Sequence, residues 1–234
     1  MKSISSVHIV AIGLILLSLL MNYVYYFHTN NFRSPIIEYE FVKNQQEVKN
    51  ILMENNEFKK DEIRGVRDQN IVDYFYMIFY SSLIILAFNK ISKIEQKKIY
   101  TLGIAFSIIA LVSDVFENIE MFQISNLLVN RIDFSESVKI LFIITRLKWL
   151  SLAFVMLILS FHYFQYGITG KLFALISALP IISIFAFIIF KDSGNIFVKL
   201  FTSFIILGFI ALTLWIFISL RINKNLNFYK PKIT

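Results

Sequence analysis

The chain has 234 residues, 57% of them hydrophobic and only 17% charged; soluble domains run at about half apolar and about a quarter charged, so a water-solvated globule is excluded and a bilayer is the expected solvent. The formal charge is +7, but the lysines and arginines fall in short stretches between apolar runs, which points to membrane topology and away from a nucleic-acid partner. With no cysteine there is no disulfide, thiolate nucleophile or cysteine-ligated metal.

A membrane helix needs about 20 largely apolar residues. Six such runs occur, near residues 7–27, 71–89, 100–122, 139–162, 171–190 and 198–220. The expected fold class is an all-α integral membrane protein of about six transmembrane helices. A small outer segment between spans one and two should hold a short extended stretch plus an amphipathic helix. The expected organisation is an uncleaved anchor span at 1–27, an extracytoplasmic segment at 28–70, a five-span bundle at 71–221 and a basic cytoplasmic tail at 222–234. Heavy use of Ile, Phe, Lys and Asn suggests an AT-rich genome and a bacterial inner membrane.

Lys2 precedes the first apolar run, but Met21-Asn22-Tyr23-Val24-Tyr25-Tyr26 offers no small-residue cleavage site, hence the anchor reading. Tyr23, Tyr25, Tyr26, Tyr74, Tyr76 and Trp149 fall toward span ends, where amphipathic rings favour the interface. In the segment that follows, Ile37, Tyr39 and Phe41 alternate with Glu38 and Glu40, a short extended pattern. Val48, Ile51, Leu52 and Phe58 then fall at helical spacing, predicting an amphipathic helix over 45–57 that caps the bundle or lies on the membrane surface.

Orientation follows from basic residues, which resist translocation. Lys90, Lys93, Lys97 and Lys98 lie between spans two and three, and Arg221, Lys224, Lys230 and Lys232 lie in the tail. Both termini are therefore expected in the cytoplasm and residues 28–70 outside. That segment carries seven basic but also eight acidic residues.

Charges inside spans are costly and mark functional candidates. Span three contains Asp114, Glu117 and Asn118 at i, i+3 and i+4, one helical face shared with Gly103, Ser107 and Ala110. At about 1.5 Å per residue from Tyr100, Asp114 lies about 21 Å and Glu117 about 25 Å along the helix. Span four runs the other way and places Lys148 about 13 Å in from Lys139. Lys148 shares its face with Thr145 and Ser151, whereas Arg146 neighbours Phe142 and Trp149 and can snorkel outward. Lys148 is therefore paired with Asp114 or Glu117. Asp73, at the end of span two with Tyr80 two turns further in, completes an expected intramembrane polar cluster of Asp73, Asp114, Glu117, Asn118 and Lys148.

Other chemistry finds little support. His8, His28 and His162 are scattered without metal-ligand spacing, so no metal is expected, and no cofactor motif is present. Seven glycines and three prolines, with Pro180 the one proline inside an expected span, count against the broken helices of alternating-access carriers. Three readings remain: a non-enzymatic structural or partner-binding protein, a proton- or cation-coupled carrier using the span-three carboxylates, and a lipid-headgroup enzyme at the outer leaflet. The expected partners are the lipid bilayer and another membrane protein.

The run Glu38-Tyr39-Glu40-Phe41-Val42 with Glu47-Val48 and Ile51-Leu52, then Asp73-Tyr74-Phe75 with Tyr80, Asp114 with Glu117-Asn118, and Thr145 with Lys148 resembles a set of uncharacterised small bacterial multipass membrane proteins. The resemblance extends over residues 1 to about 160. It implies that these polar positions belong together, and it implies no particular reaction.

Overall fold

The structure is a computed structural model that describes residues 6–30, 34–55, 57–189 and 194–222. Its elements in chain order are α1 (Ser6–Thr29), α2 (Ile36–Glu40), α3 (Gln45–Leu52), β1 (Met53–Glu54), β2 (Glu57–Phe58), α4 (Lys60–Glu95), α5 (Ile99–Val129), α6 (Ser135–Tyr163), α7 (Gly167–Ile189) and α8 (Gly194–Ile222). Six of these helices, α1 and α4 to α8, are long and apolar enough to cross a bilayer. The chain is an all-α multipass membrane protein. Its exposed apolar residues, such as Ile9, Leu16, Phe75, Ile143 and Leu172, are the surface such a protein turns to lipid.

The chain divides into two compact units. One comprises Met1–Ala11, Leu83–Ser107 and Leu150–Thr234, and the other Ile12–Ser82 and Ile108–Trp149. Four helices, α1, α4, α5 and α6, contribute residues to both.

The second unit holds the segment between α1 and α4. The extended stretch expected over 37–41 is instead the short helix α2. A strict alternation would send Tyr39 and Glu40 to opposite faces. Successive helical residues are only about 100° apart, so both can be buried, and both are. Extended backbone appears later, where β1 pairs antiparallel with β2 in the register Met53 to Phe58.

The amphipathic helix is present as α3. Asn44 caps it, accepting from the Glu47 backbone N–H at 3.0 Å, while the Glu47 carboxylate turns back to accept from the Lys43 N–H at 2.8 Å. The helix stops at Leu52 because Met53 is already extended, and that places Phe58 in β2 rather than on the helix. Val48 and Leu52 are fully buried, with Tyr25, Tyr39, Val42, Val66, Met121, Ile124, Leu128, Phe134, Val138 and Leu141 in one apolar cluster. Each such aliphatic side chain contributes about 1.5–3 kcal/mol on burial. This cluster seats the segment against α4, α5 and α6.

Tyr25, expected at the interface, lies in this core, with its hydroxyl donating to the Glu62 carboxylate. Gly65 permits the contact, since a Cβ there would stand 2.8 Å from the Tyr25 ring. The expected second span also extends further than its apolar run: α4 is 36 residues long and reaches Glu95, beyond the expected end at 89.

In the first unit, α7 packs against α8. Trp215 of α8 stands among Tyr163, Tyr166 and Phe173, with ring centroids 5.1–5.6 Å away in edge-on arrangements. The basic tail expected at 222–234 lies outside the described residues except for Ile222.

Candidate functional site: a buried carboxyl–lysine cluster

The site forms where α4, α5 and α6 of the second unit meet α2. Helical spacing puts Asp114, Glu117 and Asn118 on one face of α5, and Lys148 reaches that face from α6. The Lys148 ammonium donates to Asp114 Oδ1 at 2.9 Å and to Glu117 Oε1. It also stands 3.4 Å from Glu40 Oε2. All four residues are buried: Lys148 retains 5% of its accessible surface, Asp114 2%, Glu117 none and Glu40 6%.

Asp114 and Glu40 have further support. Tyr80 of α4 donates its hydroxyl to Asp114 Oδ2 at 2.7 Å. The indole N–H of Trp149 donates to Glu40 Oε2 at 2.9 Å. Asn118 donates its amide to Asp73 Oδ2 at 2.7 Å, which ties the fourth acid to the same helix face. The five residues expected from the sequence are thus brought together. Lys148 takes Asp114 and Glu117 at once rather than one of them.

Glu40, Trp149 and Tyr80 enlarge the set. Local spacing carried no signal for Glu40, because a glutamate in a polar, alternating stretch reads as solvated. Trp149 was expected at the interface, yet it is 7% exposed and faces Glu40. Arg146 is turned another way: its guanidinium lies 3.1 Å from the centroid of the Phe142 ring and donates to the Phe142 carbonyl at 2.8 Å.

α2 is anchored beside the cluster as well. The buried Tyr39 hydroxyl donates to the Met121 carbonyl at 3.2 Å and lies 3.2 Å from Ser125 Oγ. Burial pushes the Tyr39 phenol above its ordinary range. Burial likewise pushes the Glu40 carboxyl above the usual glutamate range, against the opposing pull of the Lys148 ammonium. Near the start of α6, Gln45 donates to Asp133, and hydrogen bonds from Ser135 and then Gln45 hold the Asp133 carboxyl below its ordinary range.

The charge balance of the cluster decides what it can do. Three carboxyl groups surround one ammonium. A buried site of low dielectric does not carry two uncompensated negative charges, so neutrality there needs protons as well as Lys148. Glu117 Oε2 and the Thr145 hydroxyl are buried with no hydrogen-bond partner among the described residues. Among the described residues no group of three or more His, Cys, Asp or Glu side chains is arranged to hold a metal ion.

A separate polar cluster lies in the first unit. Glu95, expected in a loop, is the last residue of α4 and accepts from Tyr100 at 2.5 Å, Gln165 at 2.8 Å and Lys97 at 3.0 Å. His162 Nδ1 meets the same carboxylate at 2.5 Å, and Trp215 donates its indole N–H to His162 Nε2 at 3.3 Å. An indole nitrogen only donates, so Nε2 must accept and the imidazole proton sits on Nδ1, aimed at Glu95. Residues 67 positions apart make this pair, which no local spacing announces.

No protein-family model, curated protein or solved structure matches this chain.

Proposed function

We propose that this chain is a non-enzymatic, partner-binding membrane protein in which the Lys148 cluster fastens the segment between α1 and α4 to the spans and so holds a rigid recognition surface. In this reading residues 28–70 are extracytoplasmic, both termini are cytoplasmic, and the partner is another membrane protein. The observation that carries it is the seating of Glu40. A residue from outside the spans lies buried against Trp149 and Lys148, while Tyr39 beside it reaches Met121 and Ser125. A segment intended only as a connection has no need of a buried acid, whose desolvation is unfavourable unless it is well paired.

The test is to neutralise Glu117 and Lys148 singly and together, as Glu117→Gln and Lys148→Met. Removing one partner of a buried pair costs about 3–5 kcal/mol, whereas removing both is far milder. Lys148→Met should therefore lose folded protein, because three buried carboxyls lose their one cation; Glu117→Gln, which removes one of the excess carboxyls, should lose little, and the double variant, which still holds Asp114 and Glu40, should recover only part of the loss. Normal accumulation of Lys148→Met alone would contradict the proposal.

A second reading is favoured by one observation, the excess of carboxyls over cations around Lys148 together with the unpaired Glu117 Oε2. Here the cluster is the proton site of a proton-coupled carrier. Reconstituted vesicles should then show a pH-driven flux that Glu117→Gln abolishes with folding intact, and no flux under any gradient would sink this reading.

A further inference from the structure

In the first unit, His162 occupies the last turn of α6 and retains only 4% of its accessible surface. Its two ring nitrogens serve different helices. Nδ1 meets the Glu95 carboxylate at the end of α4, and Nε2 accepts the indole N–H of Trp215 from α8 at 3.3 Å. A ring that accepts a hydrogen bond at one nitrogen carries a proton on the other alone, so in this arrangement the imidazole is neutral.

The groups around the ring come from every neighbouring element. α4 supplies Glu95, which Lys97 meets at 3.0 Å. α5 supplies Tyr100, its ring centroid 6.5 Å away. Tyr163 of α6 and Tyr166 just beyond it stand at 5.6 and 5.0 Å. α8 contributes Trp215, with its ring centroid at 6.0 Å. α7 packs Phe173 against Trp215, while its Lys171 is turned to the Phe164 ring. The charge next to His162 is therefore the negative one of Glu95.

A second proton has one place to go, Nε2. Once it is there the ring has two N–H groups and no lone pair, and Trp215, whose indole nitrogen only donates, loses its acceptor. Glu95 responds in the opposite sense, since a hydrogen bond between two charged groups is stronger than one to a neutral ring. Aromatic faces close by also favour a cation. Glu95 accepts in addition from the exposed Gln165 and Lys97, a polar link between the buried ring and the surface.

We infer that His162 is a proton-operated latch between α6 and α8. In its neutral form it holds Trp215. On protonation it gives up Trp215, keeps Glu95, and loosens α8 around that residue. The latch lies wholly in the first unit and is independent of the role proposed for the Lys148 cluster.

The test uses the full chain in nanodiscs. With two tryptophans in the sequence, nitrogen-15 labelling of tryptophan gives two indole signals, which Trp215→Phe assigns. Trp149, bonded to Glu40 rather than to a histidine, is the internal reference. Histidine side chains change charge between about pH 8 and about pH 5. As pH falls through that range, exchange of the Trp215 indole proton with water should rise about tenfold relative to Trp149, as for the loss of one hydrogen bond. Its midpoint should coincide with the arrival of a proton on His162 Nε2, and the α8 amides around Trp215 should lose protection with it. Glu95→Gln removes the anion that favours the charged ring and should lower that midpoint by about one pH unit. His162→Phe should leave the indole released at every pH; if that variant fails to fold, Glu95→Gln carries the comparison. A constant relative rate in the wild-type chain, a midpoint unmoved in Glu95→Gln, or α8 amides that stay protected while the indole is freed would each overturn the latch. Equal acceleration of both indoles would show a general loosening and overturn it as well.

Discussion

Trp149 and Glu40 are joined by a 2.9 Å hydrogen bond across 109 residues of chain. One comes from a long apolar helix and the other from a five-residue helix outside the spans. Through this contact the connection after α1 becomes part of the interior of its unit.

That contact predicts a graded response at position 40. Glu40→Gln keeps an acceptor for the indole and removes a buried acid, so thermal unfolding in nanodiscs should change little. Glu40→Ala removes the carboxylate that accepts from the buried Trp149 N–H, a loss of about 1–3 kcal/mol. Equal melting of the two variants would contradict the assigned hydrogen bond.

The raised Glu40 carboxyl gives a pH dependence with a definite sign. A carboxyl whose folded value is raised binds its proton more tightly folded than unfolded. Its stabilisation is full below the ordinary glutamate range and declines as pH rises from that range through the folded value. The segment should therefore resist proteolysis better at mildly acid pH than at neutral pH, and Glu40→Gln should flatten the profile. A profile of unchanged slope in Glu40→Gln would assign the effect to another group.

Tyr39 anchors the same helix through its hydroxyl, so Tyr39→Phe should destabilise the unit by about 1 kcal/mol, as for a typical hydrogen bond. The substitution preserves the ring within the apolar cluster, so a much larger loss in a chemical-denaturation series would point to a role beyond these bonds.

In the first unit, Trp215→Phe retains the aromatic packing and removes the donor to His162 Nε2. The expected change is about 0.5–1.5 kcal/mol. Nitrogen-15 spectra of the imidazole should show the proton on Nδ1 in the wild-type chain, and a proton on Nε2 would overturn the tautomer.

Absence of cysteine makes topology directly measurable. A single cysteine at Asn55, in the turn between β1 and β2, should label in intact cells, whereas one at Lys98, between α4 and α5, should not. The reverse pattern would invert the proposed orientation.

The long helices were legible because each depends on a run of apolar residues that no other solvent would satisfy. The α5 face was legible for a similar reason, since Asp114, Glu117 and Asn118 fall within one turn. Lys148 followed because a buried ammonium needs an acid. Glu40 was not legible from spacing: its burial depends on α2 being a helix, a choice settled by Tyr39 reaching Met121 and Val42 entering the apolar cluster, both distant in sequence. Trp149 and Tyr25 were misplaced because a ring with one polar atom suits either an interface or a core that supplies a partner. The pairing of Glu95 with His162 was hidden by distance along the chain.

The central claim is that the Lys148 cluster fastens the segment to the spans, and amide hydrogen exchange in α3 tests it most directly. Compared with the wild-type chain in the same nanodiscs, Glu40→Ala and Lys148→Met should both exchange Val48 and its neighbours much faster, and Lys148→Met/Glu117→Gln, which still buries Asp114 and Glu40 without their cation, should restore only part of the protection. Exchange in α3 that stays at the wild-type rate in Lys148→Met, with that protein folded, would contradict the account.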